Sequence, residues 1–327
     1  MVALLAKKKL YPDADIVGVT LLLYKNEEDI ENAKRVCQYL NIPHGVLDLR
    51  EPFRERIINY FLEEYRKGRT PNPCAVCNQE IKLGLATKIL TSEGFHKVLT
   101  GHYVRKVKIG DHLTLARPKD LQKDQTYFLA LLKGEYLKDL EFPLGDYTKE
   151  EVRAIAREAG LPTHSRKESQ DICFLEGQKL KDFLKDYIPP QAGTFIYKGK
   201  VVGRHEGYYA YTVGQRRGLG LRLGKPVYVV DIDAGRNIVY VGDKEELFTD
   251  EVLLEGLNLF LPLEGVRGKP LWGQVRYRTP PKEVEEIGET ERGLKVKFKE
   301  PFAGVAKGQI GALYLFNRYL VGGGFIA

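Results

Sequence analysis

Cysteine is scarce in this chain, with four residues among 327. So few cysteines cannot form a disulfide scaffold at this length, and a reducing compartment such as the cytoplasm fits that usage. No apolar run reaches the roughly eighteen residues that a membrane-spanning helix needs. At the start of the chain, three lysines follow a short apolar patch, which is the wrong order for a signal peptide. We therefore expect a cytoplasmic protein without a membrane partner.

The composition is otherwise that of an ordinary globular protein. Hydrophobic residues make up 43% and charged residues 29% of the chain, and its length allows two or three domains. The formal net charge of +7 indicates a polyanionic partner such as nucleic acid.

The most informative stretch carries Cys74 and Cys77 at C-x-x-C spacing behind two prolines. The prolines stiffen the approach, and the spacing of apolar residues predicts a helix that starts near Asn78. A thiol at a helix start favours the thiolate form, and the cations Arg69 and Lys82 are placed to act in the same direction. A structural zinc site is the alternative. It needs about four ligands, and the sequence has no second C-x-x-C and no close histidine pair.

The first half of the chain alternates strands with helices, which predicts a parallel sheet with helices on both faces. Predicted strands cover 16–24, 46–49 and 97–100, and predicted helices cover 27–40, 53–65, 80–90 and 148–159. Ligands collect beyond the carboxyl ends of such strands. We therefore place Gly101 and His102 in a site, with a packed core histidine as the alternative for His102.

The two other thiols have different patterns. Cys37 falls on the apolar face of a predicted helix and is interpreted as core. Cys173 lies in a polar loop, 165–174, where flanking Ile172 and Phe174 also allow a buried hydrophobic role. Asp124, just before an apolar helix at 127–129, has a simple capping role as its alternative.

Beyond residue 190 the sequence changes to short, glycine-punctuated strands. The loop 211–220 is basic and glycine-rich, and its Arg216 and Arg217 suit phosphate contacts. From 252 onward, alternating strands predict a small antiparallel barrel with a turn at 322–324. We predict a catalytic nucleotide-binding domain over 1–179, a central β-rich domain over 180–246 and a C-terminal β-barrel over 247–327.

Several long motifs, in one order along the whole chain, resemble the tRNA-specific 2-thiouridylases, whose fold class is α/β with an adenine nucleotide α-hydrolase-like domain. They are Gly-Arg-Thr-Pro-Asn-Pro-Cys-x-x-Cys-Asn (68–78), Thr-Gly-His-Tyr (100–103), Lys-Asp-Gln-Thr-Tyr-Phe-Leu (123–129), Ser-Gln-Asp-Ile-Cys-Phe (169–174), Gly-Gln-Arg-Arg-Gly-Leu-Gly (214–220) and Arg-Tyr-Arg (276–278).

The resemblance implies replacement of O2 of the wobble uridine (position 34) of tRNA by sulfur. ATP, with Mg²⁺, adenylates O2. A persulfide on Cys173 then delivers sulfur, and Cys77 is the nucleophile that releases the product through a Cys77–Cys173 disulfide. The implied partners are tRNA and a sulfur-relay donor protein, and the chain is expected to be a monomer.

The remaining site residues also follow from the resemblance. It implies target-base contacts for Asn72, Pro73 and Cys74, around a base flipped out of its stack, and nucleotide contacts for Leu21 and Gly101. The implied tRNA contacts are His102, Lys123, Asp124, Gln125, Arg276, Tyr277 and Gln309.

Two departures from the family pattern leave alternatives open. Many relatives carry Asp at the position of Cys74, so Cys74, Cys77 and Cys173 could instead hold a [4Fe–4S] cluster in a cluster-dependent thiolase. The family also begins with a strand and a Ser-Gly-Gly-x-Asp-Ser pyrophosphate loop. We expect this segment, on the order of fifteen residues, to be missing before Met1. A tRNA-binding protein without catalysis is then the further alternative.

Overall fold

The computed structural model describes residues 1–25, 27–162 and 172–327. Its first part alternates helices and strands as expected. A helix α1 (Val2–Leu5) with π-helical turns (Ala6–Leu10) precedes strand β1 (Gly18–Leu22), helix α2 (Glu27–Tyr39) and strand β2 (His44–Asp48). Strands β1 and β2 pair in parallel, and Leu21 lies opposite Leu47. Cys37 of α2 is buried, as predicted.

Two long helical runs follow, and the second of them carries Cys74 and Cys77. The first comprises α3 (Arg50–Phe53), π-helical turns (Arg54–Ile58) and α4 (Asn59–Arg66). The second comprises α5 (Pro73–Cys77), π-helical turns (Asn78–Leu85) and α6 (Ala86–Ser92). The predicted start of this second helix near Asn78 is wrong. The helix begins at Pro73 because Pro73 has the right φ for a first helical residue and the Asn72 side chain caps the helix, accepting from Ala75 N at 3.1 Å.

A second parallel pair and a hairpin complete this region. Strand β3 (Val98–Leu99) is followed by the hairpin of β4 (Arg105–Ile109) and β5 (His112–Ala116). After 3₁₀ turns (Leu121–Lys123, Thr126–Leu129, Gly134–Lys138) come strand β6 (Leu140–Glu141), which pairs with β3, and helix α7 (Lys149–Glu158). The apolar segment at 127–129 is thus a 3₁₀ turn. Helix α7 has the predicted Thr148–Glu151 capping box, and Gly160 ends it with φ +65°.

Of the predicted loop 165–174, residues 165–171 lie outside the described part of the chain. The next elements are a 3₁₀ turn (Cys173–Leu175) and helix α8 (Leu180–Lys185). They lead to a four-stranded sheet of β7 (Gly193–Tyr197), β8 (Lys200–His205), β9 (Tyr228–Asp233) and β10 (Ile238–Gly242), in the order β8-β7-β10-β9. The basic loop 211–220 lies between β8 and β9, and the helical turns of this region are Tyr208–Ala210 and Lys244–Leu247.

The last part forms the predicted antiparallel barrel. Its elements are β11 (Phe248–Leu259), α9 (Leu263–Val266), β12 (Leu271–Gln274), β13 (Lys282–Thr290), β14 (Gly293–Ala303), β15 (Ile310–Leu315) and β16 (Tyr319–Ile326). Strands β11 and β16 pair and close a six-stranded ring, and the hairpin β4–β5 adds to the outside of β16.

The turn predicted at 322–324 is wrong, because these glycines lie inside strand β16. The chain turns instead at Phe316 and Asn317, both with positive φ. A Cβ at Gly323 would stand 2.5 Å from Gly311 O and 2.8 Å from Ala130 Cβ. Glycine is therefore needed where β16 approaches β15 and the first region closely.

Candidate active site

The thiol-bearing helix is held at its start by the C-terminal barrel. The Gln309 side chain donates to Thr70 O at 2.8 Å, and Thr70 N donates to Lys307 O at 2.8 Å. The Tyr127 hydroxyl donates to Ile310 O at 2.8 Å and also bonds the Asn72 side chain. The barrel thus fixes the backbone that leads into Cys74.

Cys173 reaches the same region from a distant part of the sequence. Phe174 is buried and packs edge-on against Phe53 and Phe61, with ring centroids 6.0 and 5.1 Å away. Cys173 itself is exposed. The buried, hydrophobic role considered for Cys173 is therefore wrong, since its neighbour Phe174 fills the core and leaves the thiol outside.

The three thiols Cys74, Cys77 and Cys173 lie within electrostatic range of one another and of Lys82. Burial raises the pKa of Cys74 and Cys173 above the usual value for a thiol, and it raises the pKa of Cys77 to about 12. Lys82 acts in the opposite direction on all three.

The expectation of a lowered thiol pKa is therefore wrong in direction. Desolvation of a largely enclosed sulfur outweighs the helix start and the one cation that acts on it. Arg69, the second cation named from the sequence, pairs with Glu64 at 3.5 Å and is not among the groups that shift these thiols.

A cleft of about 1010 Å³ opens beside Cys74, between the first region and the barrel. This volume suits a nucleotide-sized ligand. Of the residues predicted for the site, the lining includes Cys74, Gly101, His102, Lys123, Asp124, Gln125 and Tyr277. The other predicted residues lie outside the lining: Leu21, Asn72, Pro73, Cys77, Cys173, Arg276 and Gln309.

His102 sits in the cleft wall as a neutral imidazole. Burial, with a smaller effect from Lys82, lowers its pKa to about 3. Its Nδ1 lies 2.8 Å from Thr100 Oγ1. A neutral ring exchanges hydrogen bonds with a ligand but supplies no positive charge at neutral pH.

Asp124 is not the N-cap of the turn that follows it, since that N-cap is Gln125, but the Asp124 side chain bonds the first residue of that turn. Its Oδ1 accepts from Thr126 N at 2.9 Å and from Thr126 Oγ1 at 2.7 Å, while Arg117 Nε donates to Oδ2 at 2.7 Å. Gln125 accepts from Tyr103 N at 2.8 Å. These contacts shape the cleft, and the contacts of Asp124 and Gln125 with tRNA stay predictions.

Tyr277 supplies an aromatic surface at the barrel side of the cleft. Its ring lies 4.3 Å from that of Phe128, centroid to centroid. Gln274 holds the loop by donating to the carbonyls of Arg276 and Tyr277 at 3.2 and 2.7 Å. An aromatic face of this kind suits stacking with an unpaired base.

Sequence reasoning missed several lining residues, which are Asn78, Arg117, Lys149, Gln274, Arg278 and Asn317. Asn78 directly follows Cys77, and its position in a predicted helix next to the thiols was the available signal. Arg278 ends the Arg-Tyr-Arg motif at 276–278, which was its signal. Arg117, Lys149, Gln274 and Asn317 come from a loop, a helix start, a strand and a turn, and no local pattern reveals their three-dimensional neighbours.

Within the described ranges, no group of three or more His, Cys, Asp or Glu side chains is placed to hold a metal ion. The [4Fe–4S] cluster considered for Cys74, Cys77 and Cys173 stays an alternative. No helix among the described residues is long and apolar enough to cross a membrane.

Three family models match this architecture in chain order. They are a tRNA methyl transferase HUP domain over residues 19–177, a tRNA methyl transferase PRC-barrel domain over 181–243 and an aminomethyltransferase β-barrel domain over 268–326. Fold and matches together define a HUP nucleotide-binding protein that carries a PRC-barrel domain and a closed β-barrel.

Curated relatives make the assignment more specific. The tRNA-specific 2-thiouridylase MnmA of Aquifex aeolicus is 46% identical over 91% of this chain and 84% of its own. The proteins of the same name from Persephonella marina and Treponema denticola are each 43% identical over 99% of this chain, and over 95% and 94% of their own. The chain belongs to the tRNA-specific 2-thiouridylase family, which confirms the resemblance found in the motifs.

Proposed function

We propose that this protein is an ATP-dependent tRNA-uridine 2-sulfurtransferase that thiolates the wobble uridine, position 34, of tRNA. The observation that carries the proposal is the convergence of Cys77 and Cys173, far apart in sequence, on one electrostatic cluster beside the cleft. The matched domain descriptions speak of methyl transfer. Neighbouring thiols beside a nucleotide-sized cleft favour sulfur transfer instead.

The chemistry balances with these two thiols. ATP transfers AMP to O2 of the uracil and releases pyrophosphate. The outer sulfur of a Cys173 persulfide attacks C2 and displaces AMP, which leaves the base joined to Cys173 through a disulfide. The Cys77 thiolate then attacks the Cys173 sulfur, so that the 2-thiouridine leaves and a Cys77–Cys173 disulfide forms. A thiol reductant then opens the Cys77–Cys173 disulfide, and a donor protein that carries a persulfide transfers its outer sulfur to the Cys173 thiolate, which restores the Cys173 persulfide and leaves the donor as a thiol.

The cleft provides the binding surface for both substrates. Lys123, Lys149 and Arg278 supply positive charge toward phosphates, and Tyr277 supplies a stacking surface. Among the described residues of the lining, Asp124 is the one carboxylate, and it is paired with Arg117. Mg²⁺ would therefore be held chiefly by the oxygens of the triphosphate.

The test is nucleoside mass spectrometry of unmodified tRNA after incubation with the protein, ATP, Mg²⁺, a thiol reductant and a donor of sulfane sulfur such as a persulfide. We expect 2-thiouridine that depends on ATP, with release of pyrophosphate. Cys77→Ser and Cys173→Ser should each abolish the product while tRNA affinity stays within a few fold. The matched control is Cys37→Ala, since Cys37 is buried away from the cleft.

Two outcomes would overturn the proposal, and a third would replace its two-thiol mechanism. Wild-type turnover in either serine variant would exclude the two-thiol mechanism. Salt-dependent tRNA binding without any thiolation or pyrophosphate release would assign the chain a binding role alone. The third outcome is a protein that is brown after anaerobic purification, absorbs near 400 nm as iron–sulfur proteins do, and needs this chromophore for activity. It would favour the cluster mechanism instead.

A further inference from the structure

Lys82 is a cation in the cleft wall that the proposed chemistry does not yet use. It lies on the same helical run as two of the thiols, and Cys74, Asn78 and Lys82 all line the cleft at intervals of four residues. In a regular α-helix, residues four apart drift by about 40° around the axis, which follows from 3.6 residues per turn. Two such steps would rotate Lys82 well away from Cys74.

The π-helical turns at Asn78–Leu85 oppose this drift. Wider turns rotate the chain less per residue and keep Lys82 above Cys74. Gly84 permits the wide turn, since a Cβ there would stand 2.1 Å from Gln79 O. Since π-helical turns also occur at Ala6–Leu10 and Arg54–Ile58, the turns alone assign no role to Lys82, and its role is inferred from the shared position of Cys74, Asn78 and Lys82 in the cleft lining.

The charges around Lys82 agree with that position. Within the described part of the chain, Lys82 is the only cation that lowers the pKa of Cys74, Cys77 and Cys173 together. The thiols in turn raise the pKa of Lys82. Burial opposes the charge on Lys82, and the interactions with the three thiols outweigh it and raise the pKa of the ammonium.

We propose that Lys82 is a further catalytic residue, whose ammonium faces the sulfur-carrying thiols and stabilises their anionic forms. Ionisation releases the thiol proton to water in the cleft, and Lys82 holds the sulfur anion that remains. When the Cys77–Cys173 disulfide forms, both thiolates disappear and the ammonium loses these partners. The statement that Lys82 assists sulfur transfer rests on the proposed function. The effect of Lys82 on thiol ionisation does not, because ionisation is measured without tRNA or ATP.

The experiment measures the rate of alkylation by iodoacetamide as a function of pH, with peptide mass spectrometry to resolve each cysteine. Cys74 and Cys173 are the reporters, because both reach solvent. In Lys82→Met we expect alkylation near pH 8 to slow about tenfold at both, as for a pKa raised by about one unit. Lys82→Arg should restore most of the rate.

Lys149→Met is the matched control, since it removes a lysine from the same cleft and should leave the alkylation profile unchanged. An unchanged profile in Lys82→Met, or an equal loss in Lys149→Met, overturns the proposal. If Lys82→Met fails to fold by circular dichroism, Lys82→Gln replaces it under the same criteria. A shifted alkylation profile in a protein that makes no 2-thiouridine would refute the proposed function and leave the role of Lys82 in thiol ionisation intact.

Discussion

On the outer face of the barrel, lysines stand opposite glutamates of neighbouring strands, whereas the cleft gathers cations around a single carboxylate. Lys295 pairs with Glu251 and Lys297 with Glu285, each at 2.8 Å. Among the described residues, the cleft lining contains one carboxylate, Asp124, and five cations: Lys82, Arg117, Lys123, Lys149 and Arg278. Of these five cations, Arg117 donates to that carboxylate at 2.7 Å.

This difference shows where the net charge of +7 acts. Charges that alternate between strands cancel within a few ångströms and contribute little field beyond the Debye length of about 8–10 Å. Charges of one sign around a concave surface add up and attract a polyanion. The total charge alone could not distinguish these arrangements, because it counts both surfaces equally.

The largest expected effect is the pH dependence of the reaction of the buried thiol Cys77. The pKa of Cys77 is raised to about 12, so its thiolate fraction grows about tenfold per pH unit below that value. Release of 2-thiouridine from the Cys173-linked intermediate should therefore accelerate about a hundredfold from pH 7 to pH 9. Single-turnover assays on enzyme with a preloaded persulfide measure this rate. A flat profile would show that Cys77 is ionised by another group or is not the attacking thiol.

The next effect tests the surplus of positive charge. Lys123→Met with Lys149→Met should weaken tRNA binding about tenfold at physiological salt and reduce the slope of log affinity against log salt by about one to two. Filter binding across a salt series measures both quantities. The barrel double variant Lys295→Met with Lys299→Met removes the same charge and should leave both within twofold. Equal losses in the two double variants would refute the contrast between cleft and barrel.

The sequence predicted the fold well wherever a local pattern decides it. The capping box at Thr148, the buried face of Cys37 and the alternating barrel strands were all correct because neighbours in sequence fix them. The glycines at 322–324 were misread because their function is close strand packing, which involves Gly311 and Ala130. A glycine that serves a turn and one that serves a close approach look alike in sequence.

The site was predicted less completely for the same physical reason. The family resemblance assigned roles to the three thiols and to six further residues of the lining, but it did not show that Gln309 holds the approach to Cys74. The direction of the thiol pKa shifts also depended on burial, and burial is a property of the folded surroundings. The local sequence shows which cations are close to the thiols along the chain. It does not show that Arg69 forms an ion pair with Glu64 instead.

A smaller effect separates two roles for Gln309. Gln309→Ala removes the hydrogen bond to Thr70 O, which should cost about 1 kcal/mol of unfolding free energy and slow thiolation severalfold. Chemical denaturation and single-turnover rates measure these changes. Lys307→Ala is the control, because the Lys307 carbonyl still accepts from Thr70 N. A loss of tRNA affinity at unchanged stability would assign Gln309 to the tRNA contact that the family resemblance implies.

The smallest effect is expected on the balanced face. Lys295→Met removes one half of an exposed ion pair with Glu251, and both side chains are about half exposed, at 51% and 44%. Water and salt already screen such a pair, so the free energy of unfolding should change by less than about 0.5 kcal/mol. Denaturation at low and at 1 M salt measures the change, which should vanish at the higher salt. A loss of several kcal/mol would mean that the strand-to-strand pairs act as one cooperative network, and the barrel would then depend on its charges as strongly as the cleft does.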